Sequence, residues 1–349
     1  MTNRFRRDFL LLVVLLAGAL FASCEKALMP GEGDASATET FDYLWQQADR
    51  QYSMFDVKGV DWQGVRDSLR PQVWEGMEAD SLFAVCAKML GTLRDGHVNL
   101  YGGYDISHSD TVVYRFYAES QIDINAVVLG YLGADYHTTG GIAHQGIAGG
   151  RVVYMRYSSF SSGITAGQLR HILNSYPEAE GAILDIRGNG GGSIANIYNI
   201  LSVLPSNGQH LYSSQIKSGP GHGDFTPLTA TYAPETADSM AYKKPLVVLI
   251  DRGCYSAASM FAVCCRAYPE VVLMGDTTGG GLGLPTMGYL PNGWRYRLPV
   301  TRLLTPEGKN FENGVPPDIR LTLDCEAALR LKRDNIIDSA CGMIVRTAN

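Results

Sequence analysis

Between residues 181 and 205 the chain runs GAILDIRGNGGGSIANIYNILSVLP, and few folds accept such a stretch. Ala182, Ile183, Leu184 and Ile186 form a short apolar run, the pattern of a strand covered on both faces. Gly188, Gly190, Gly191 and Gly192 then remove four side chains from one turn, and Ser193 stands where a helix would be capped. Ile194, Ile197, Tyr198 and Leu201 recur at helical spacing. A glycine turn of this kind offers backbone N–H groups beside a helix N-terminus, where negative charge is stabilised. That charge is either a bound phosphate or an oxyanion formed during a reaction.

Phosphate fits poorly. A dinucleotide-binding turn needs G-x-G-x-x-G and an acid about 20 residues later. Here Ser193 occupies the third glycine position, and GQHLYS at 208–213 contains no acid. A P-loop needs Gly-Lys-Ser/Thr, and the turn has no lysine. A turn that merely packs a helix close to a sheet is the remaining alternative. A second strand–turn–helix pattern, PLVVLIDRGCYSAASMFAVCCRAY at 245–268, weighs against it. There a buried strand ends and a helix begins at Ser256, with the small residues Ala257 and Ala258 beside it. A hydroxyl at such a junction is a candidate nucleophile. Together the two turns point to acyl transfer.

The flanking sequence sets the context. Arg4, Arg6 and Arg7 precede an apolar run of 14 residues, Phe9 to Ala22, which is the pattern of a signal peptide. It ends Phe21-Ala22-Ser23-Cys24, resembling a bacterial lipobox whose cysteine is lipidated. The expected location is therefore the cell envelope, with a lipid anchor at Cys24 in the periplasm or on the outer membrane. The formal net charge is −6, and removal of residues 1–23 takes away three Arg and one Asp to leave −8. No basic stripe with interleaved aromatics occurs, so nucleic acid is not an expected partner. Six further cysteines (Cys86, Cys254, Cys264, Cys265, Cys325 and Cys341) contain no C-x-x-C spacing. The histidines show no H-E-x-x-H, which argues against a zinc peptidase, and no metal or cofactor is expected.

Three helices are expected before residue 94. The first carries Phe41, Leu44, Trp45, Ala48 and Tyr52 on one face; Asp61 caps the second and Asp80 the third. At LRDGHVNLY, Asp95-Gly96 turns the chain and His97 opens a strand. Short strands are expected over 109–158, a helix over 164–176, and an amphipathic helix from Asp324 onward. Residues 206–244 are rich in Gly, Pro, Ser and Thr with weak periodicity, which suggests a strap over a site. Alternating strands and helices with fully apolar runs define an α/β domain.

Four motifs, GAILDIRGNGGG, DRGCYSAASMFA, TTGGG and ENGVPPDI, occur in this order. They resemble the serine peptidases that group the C-terminal processing (tail-specific) proteases with tricorn protease. FDYLWQQADRQYSMFD and LRDGHVNL are similar to bacterial secreted members. The resemblance implies a crotonase-like α/β core of stacked ββα units behind a small N-terminal helical domain. It implies peptides or unfolded proteins as substrates. The expected organisation is a signal peptide over 1–23, a tether over 24–37, the helical domain over 38–94, the catalytic domain over 95–325 and a C-terminal helix over 326–349.

In the tail-specific branch the general base is a lysine some two dozen residues after the serine. That position is Gly281 here, and no lysine lies between Ser256 and Lys309. In the tricorn branch the base is a histidine from the N-terminal side, supported by an acid near Gly-Val-x-Pro-Asp. The resemblance thus assigns the nucleophile to Ser256, the base to His97 and the supporting acid to Glu312, with Asp318 second. The oxyanion would meet the N–H groups of Gly191 and Ala257. Gly96 and Ser259 stand where relatives carry a serine and an acid. No segment between the helical block and the core is long enough for a PDZ domain. The expectation is an exported, lipid-anchored serine endopeptidase. Its alternatives are a catalytically silent peptide-binding scaffold and another acyl hydrolase on the same fold.

Overall fold

Four helices open the described chain: α1 (Ala37–Gln51), α2 (Phe55–Lys58), α3 (Trp62–Leu69) and α4 (Ala79–Gly91). They belong to a computed structural model that describes residues 35–103, 106–107 and 124–347. The expected signal peptide, Cys24 and most of the expected tether lie outside the described residues. Then come β1 (Asn99–Tyr101), α5 (Ile124–Leu132), β2 (His137–Thr139), β3 (Ile142–Ile147), β4 (Val152–Arg156), α6 (Ala166–Asn174), β5 (Gly181–Asp185) and α7 (Ile194–Leu201). The chain continues through β6 (His210–Ile216), β7 (Thr229–Tyr232), β8 (Leu246–Ile250), α8 (Ala257–Cys265), β9 (Val271–Gly275), β10 (Pro285–Tyr289), β11 (Arg295–Pro299) and β12 (Thr301–Leu304). It closes with β13 (Ile319–Arg320), α9 (Cys325–Leu331) and α10 (Asn335–Thr347).

The chain divides into two units. The first comprises the described residues up to Ser107 together with Pro220–His222 and Pro285–Pro299. Ser36 caps α1 by accepting from Glu39 N, and Asp61 caps α3 by accepting from Gly64 N. Asp80 does not cap α4. The cap position is Glu78, without a side-chain bond, and Asp80 lies in the first turn, where its charge still suits the helix dipole. The helices bury Phe41, Leu44, Trp62 and Phe83 against Leu290, Tyr296 and Leu298 of the later hairpin. That hairpin forms an antiparallel sheet in the order β1-β11-β10. A block of about 60 residues has too little core of its own, and the hairpin supplies apolar surface. The first unit is therefore not purely helical, and it extends beyond residue 94.

The second unit holds a seven-stranded sheet in the order β13-β9-β8-β5-β4-β3-β2. It is parallel from β13 to β4, and β3 and β2 run antiparallel at the edge. All five residues of β5 and of β8 are buried, as the apolar runs require. Successive side chains enter opposite layers. Ala182, Leu184, Val248 and Ile250 pack with α6, α7 and α8, while Ile183, Val247 and Leu249 pack with α10. The result is a three-layer α/β/α arrangement.

Three expectations fail locally. Residues 124–132 (INAVVLGYL) form a helix and not a strand; a short apolar run does not distinguish the two by periodicity. The 206–244 segment contains β6 and β7, which join β12 in a small antiparallel sheet and contribute Leu211, Tyr212 and Ala233 to the core. A register shift between His210 and Tyr212 breaks the alternation that would have revealed it. The C-terminal helix is two helices. Lys332 ends α9 in the left-handed conformation, and Asp334 caps α10 by accepting from Ile336 N and Ile337 N.

Candidate active site

The glycine turn rests on a buried charge cluster at the end of β5. Arg187 is 2 % exposed. Its Nε and Nη2 donate to the two carboxylate oxygens of Asp185 (2.9 and 2.6 Å), and its Nη1 donates to Asp334 Oδ2 (2.8 Å). Arg156 Nη1 donates to the Arg187 carbonyl (2.6 Å), and Tyr154 OH to Asp185 Oδ2 (2.7 Å). Two guanidiniums thus face two carboxylates, so the cluster is neutral overall. Burial pushes the Asp185 carboxyl up, but the guanidiniums of Arg187 and Arg156 outweigh it and bring it down to about 2.

Asn189 shapes the turn itself. Its Oδ1 accepts from Gly191 N (2.9 Å) and Phe160 N (3.2 Å), its Nδ2 donates to Tyr157 O (2.9 Å), and its carbonyl accepts from Tyr255 N (3.0 Å). Asp251 Oδ1 joins the two turns by accepting from Gly188 N (2.8 Å) and Gly253 N (2.9 Å). Gly191 has φ +102°, and a Cβ there would lie 2.7 Å from Tyr255 O and 2.9 Å from both Ala257 N and Ser256 Cβ. Only glycine fits at that approach. The turn therefore lies directly against the serine, as the pairing of motifs predicts. In this structure the Gly191 N–H donates to Asn189, so to reach an oxyanion it must leave that partner. Ser193 occupies the cap position of α7 without a side-chain bond; its N–H instead donates to Phe160 O (3.0 Å).

Ser256 follows β8 at the head of α8, with φ 55° and ψ −120°. An L-residue rarely adopts that conformation, and it costs on the order of 1–3 kcal/mol. Serine hydrolases of other folds present their nucleophile on the same kind of strained strand-to-helix turn. Ser256 is half-buried, whereas all of α8 behind it is buried. Ala257 is the first helical residue, so its N–H has no intrahelical acceptor. Cys254, two residues earlier, is no rival nucleophile. Burial, then the Asp251 charge, push its thiol well above the usual range, and its Sγ donates to Ile186 O (3.0 Å).

A third turn, at 277–283, connects the serine to Glu312. Ser256 N donates to Gly280 O (2.9 Å), and Gly281 N donates to Glu312 O (3.1 Å). A Cβ on Gly280 would overlap that Glu312 carbonyl. Glu312 is buried, and its Oε2 accepts from Leu282 N (2.7 Å) and Gly283 N (3.1 Å), which fixes the carboxylate plane. Asp318, the second candidate, is engaged elsewhere: its Oδ2 accepts from Leu273 N (2.9 Å) at the start of the β9 core. Ser256, Ala257, Gly191 and Glu312 all belong to the second unit.

His97 belongs to the first unit and is buried just before β1, which begins at Asn99 and not at His97. Its N–H donates to Asp95 Oδ1 (2.9 Å), while Asp95 Oδ2 accepts from Tyr52 OH (3.0 Å). Asn189 is a site residue that sequence reading missed. The asparagine set between glycines in RGNGGG was the available signal, since Asn commonly bonds neighbouring backbone in turns. Among the described residues, no three or more His, Cys, Asp or Glu side chains converge to hold a metal ion.

Comparison with known proteins finds a family and several relatives. Residues 151–321 match the model for Peptidase family S41, and residues 34–91 match that for the Tricorn protease C1 domain. A candidate peptidase from Parabacteroides merdae, known from its crystal structure, is 34% identical with a TM-score of 0.84; the match covers 89% of this chain and 97% of that one. The carboxy-terminal processing protease CtpA of Bacillus subtilis is 27% identical over 178 residues, which is 50% of this chain and 36% of that protein. The chloroplastic C-terminal processing peptidase of Tetradesmus obliquus is 29% identical over the same shares of each chain. The chain thus spans little more than a third of the length of those two relatives. A strained serine beside a glycine turn on an α/β/α core is the arrangement that the structure presents. The chain belongs to peptidase family S41.

Proposed function

We propose that this protein hydrolyses peptide bonds through an acyl-enzyme on Ser256, with His97 as general base. The observation that carries the proposal is the φ 55°, ψ −120° conformation of Ser256, with the glycine turn against it. Ser256 Oγ attacks the scissile carbonyl while His97 accepts its proton. Ala257 N–H stabilises the oxyanion, joined by Gly191 N–H once that amide leaves Asn189. The protonated His97 then gives its proton to the departing amine, and water, activated in the same way, releases the acyl group. Support for His97 comes from its resemblance to the histidine-base branch and from the absence of lysine between Ser256 and Lys309. Glu312 would hold the imidazole in the required tautomer and stabilise its cation.

The substrates proposed are peptides or unfolded proteins. A fluorophosphonate probe should label Ser256, and a peptide library should be cleaved. Peptide binding without labelling would favour a silent scaffold, and labelling without cleavage would favour another acyl hydrolase.

We also propose that Cys24 carries a lipid anchor in the cell envelope, on the strength of the basic, apolar and lipobox-like segments before it. Several acyl chains hold a protein on a membrane stably, whereas one does so marginally. Cys24→Ser should therefore move the protein from the membrane to the soluble fraction. A wild type already soluble, with unmodified Cys24 by mass spectrometry, would exclude the anchor.

A further inference from the structure

Behind the nucleophile lies a pair of hydroxyls that the mechanism above does not use. Ser259 and Thr278 are both fully buried. Ser259 Oγ lies 2.9 Å from Cys254 O and 3.0 Å from Thr278 Oγ1, and it accepts from Gly280 N at 3.1 Å. Thr278 Oγ1 accepts from Val315 N at 2.9 Å. A hydroxyl has one proton, and a carbonyl has none to donate. The arrangement that satisfies every group puts the Ser259 proton on Cys254 O and returns the Thr278 proton to Ser259 Oγ.

What this pair grips is the Gly280 N–H, the amide immediately before the Gly280–Gly281 peptide. The oxygen of that single peptide unit accepts Ser256 N–H, and its N–H donates to Glu312 O. One peptide plane thus connects the nucleophile to the supporting acid. Both flanking residues are glycines at positive φ, +82° and +72°, so local sterics restrain the plane weakly. Ser259 Oγ holds the amide immediately before it, from inside α8. Thr278 carries the same link onward to Val315, within the ENGVPPDI motif.

We infer that Ser259 is a positioning residue: with Thr278 it fixes the Gly280–Gly281 peptide and thereby sets Ser256 and Glu312 in register. This rests on the proposal that Ser256 is the nucleophile. Misplacing a reacting group by about 1 Å can cost about 10²-fold in rate. Ser259→Ala should therefore slow fluorophosphonate labelling of Ser256 by roughly 10- to 100-fold and lower kcat with little change in KM. Thr278→Val keeps the side-chain shape and should do the same, while Thr278→Ser should restore the wild-type rate. The double variant Ser259→Ala/Thr278→Val should be no slower than the worse single variant, because the two act as one unit. All rates are read well below each variant's unfolding temperature, so a purely structural role would leave them unchanged. Thr278→Val against Thr278→Ser reads the relay even if Ser259→Ala does not fold. Wild-type labelling rates in folded Ser259→Ala or Thr278→Val would overturn the relay and leave the nucleophile standing. A wild type that labels elsewhere, or not at all, would instead overturn the nucleophile reading.

Discussion

Ser256→Ala and His97→Ala should each lower peptide turnover by at least about 10⁴-fold, since a nucleophile and its base fail together when either is lost. Glu312→Gln should cost less, on the order of 10²–10⁴-fold, because an orienting group leaves nucleophile and base in place. Stability should move the other way in one variant. Serine at φ 55° is strained, and only glycine adopts that conformation freely. Ser256→Gly should be inactive yet more stable, by about 1 kcal/mol in chemical denaturation. Alanine keeps the Cβ and should show no such gain. Turnover of Ser256→Ala above a tenth of wild type would exclude Ser256 as the nucleophile. A Ser256→Gly variant less stable than wild type would show that the conformation stores no strain.

Arg187→Met should destabilise the protein by about 3–5 kcal/mol, the cost of leaving a buried charge without its partner. Both Asp185 and Asp334 would lose their strongest donor while remaining fully buried. The pH dependence gives the argument a sign. Asp185 is held at about 2 in the folded protein against an ordinary value of 3.8. Its contribution is complete above about 3.8 and is lost as pH falls toward 2. Without Arg187 the folded Asp185 carboxylate keeps only the longer Arg156 ion pair to hold it charged, and protonation relieves the penalty. The gap between variant and wild type should therefore narrow as pH drops below about 4. Urea unfolding at a series of pH values measures it, and a gap that widens in acid would contradict the cluster's role.

How much of this was legible beforehand depends on the range of the interaction. β5 and β8 announce themselves because strands covered on both faces must be apolar throughout. The glycine turn and Ser256 are legible because their backbone geometry demands particular residue types within a few positions. Glu312 was reachable only through resemblance, since its two backbone partners lie some 30 residues away in sequence. Asp334 gives no local sign that it closes a charge cluster, and residues 285–299 give none that they complete the first unit. β6 was hidden by its bulge, and α5 by a run too apolar to show a period. Ser259 was visible only as a departure from relatives; its use appears once Gly280 is folded against it.

The charge cluster also orders events in time. Arg187 and Asp334 are separated by 147 positions, so the cation that steadies the glycine turn waits for a carboxylate made much later. A nascent chain that has not reached residue 334 already contains Ser256, Ala257 and Glu312, yet lacks the second carboxylate of the cluster and leaves Arg156 and Arg187 with Asp185 alone. The chemistry is encoded early and its support arrives late. For a protein proposed to cut other chains, that sequence of synthesis would act as a safeguard, because the support beneath the glycine turn is completed only after the proposed nucleophile and acid are made.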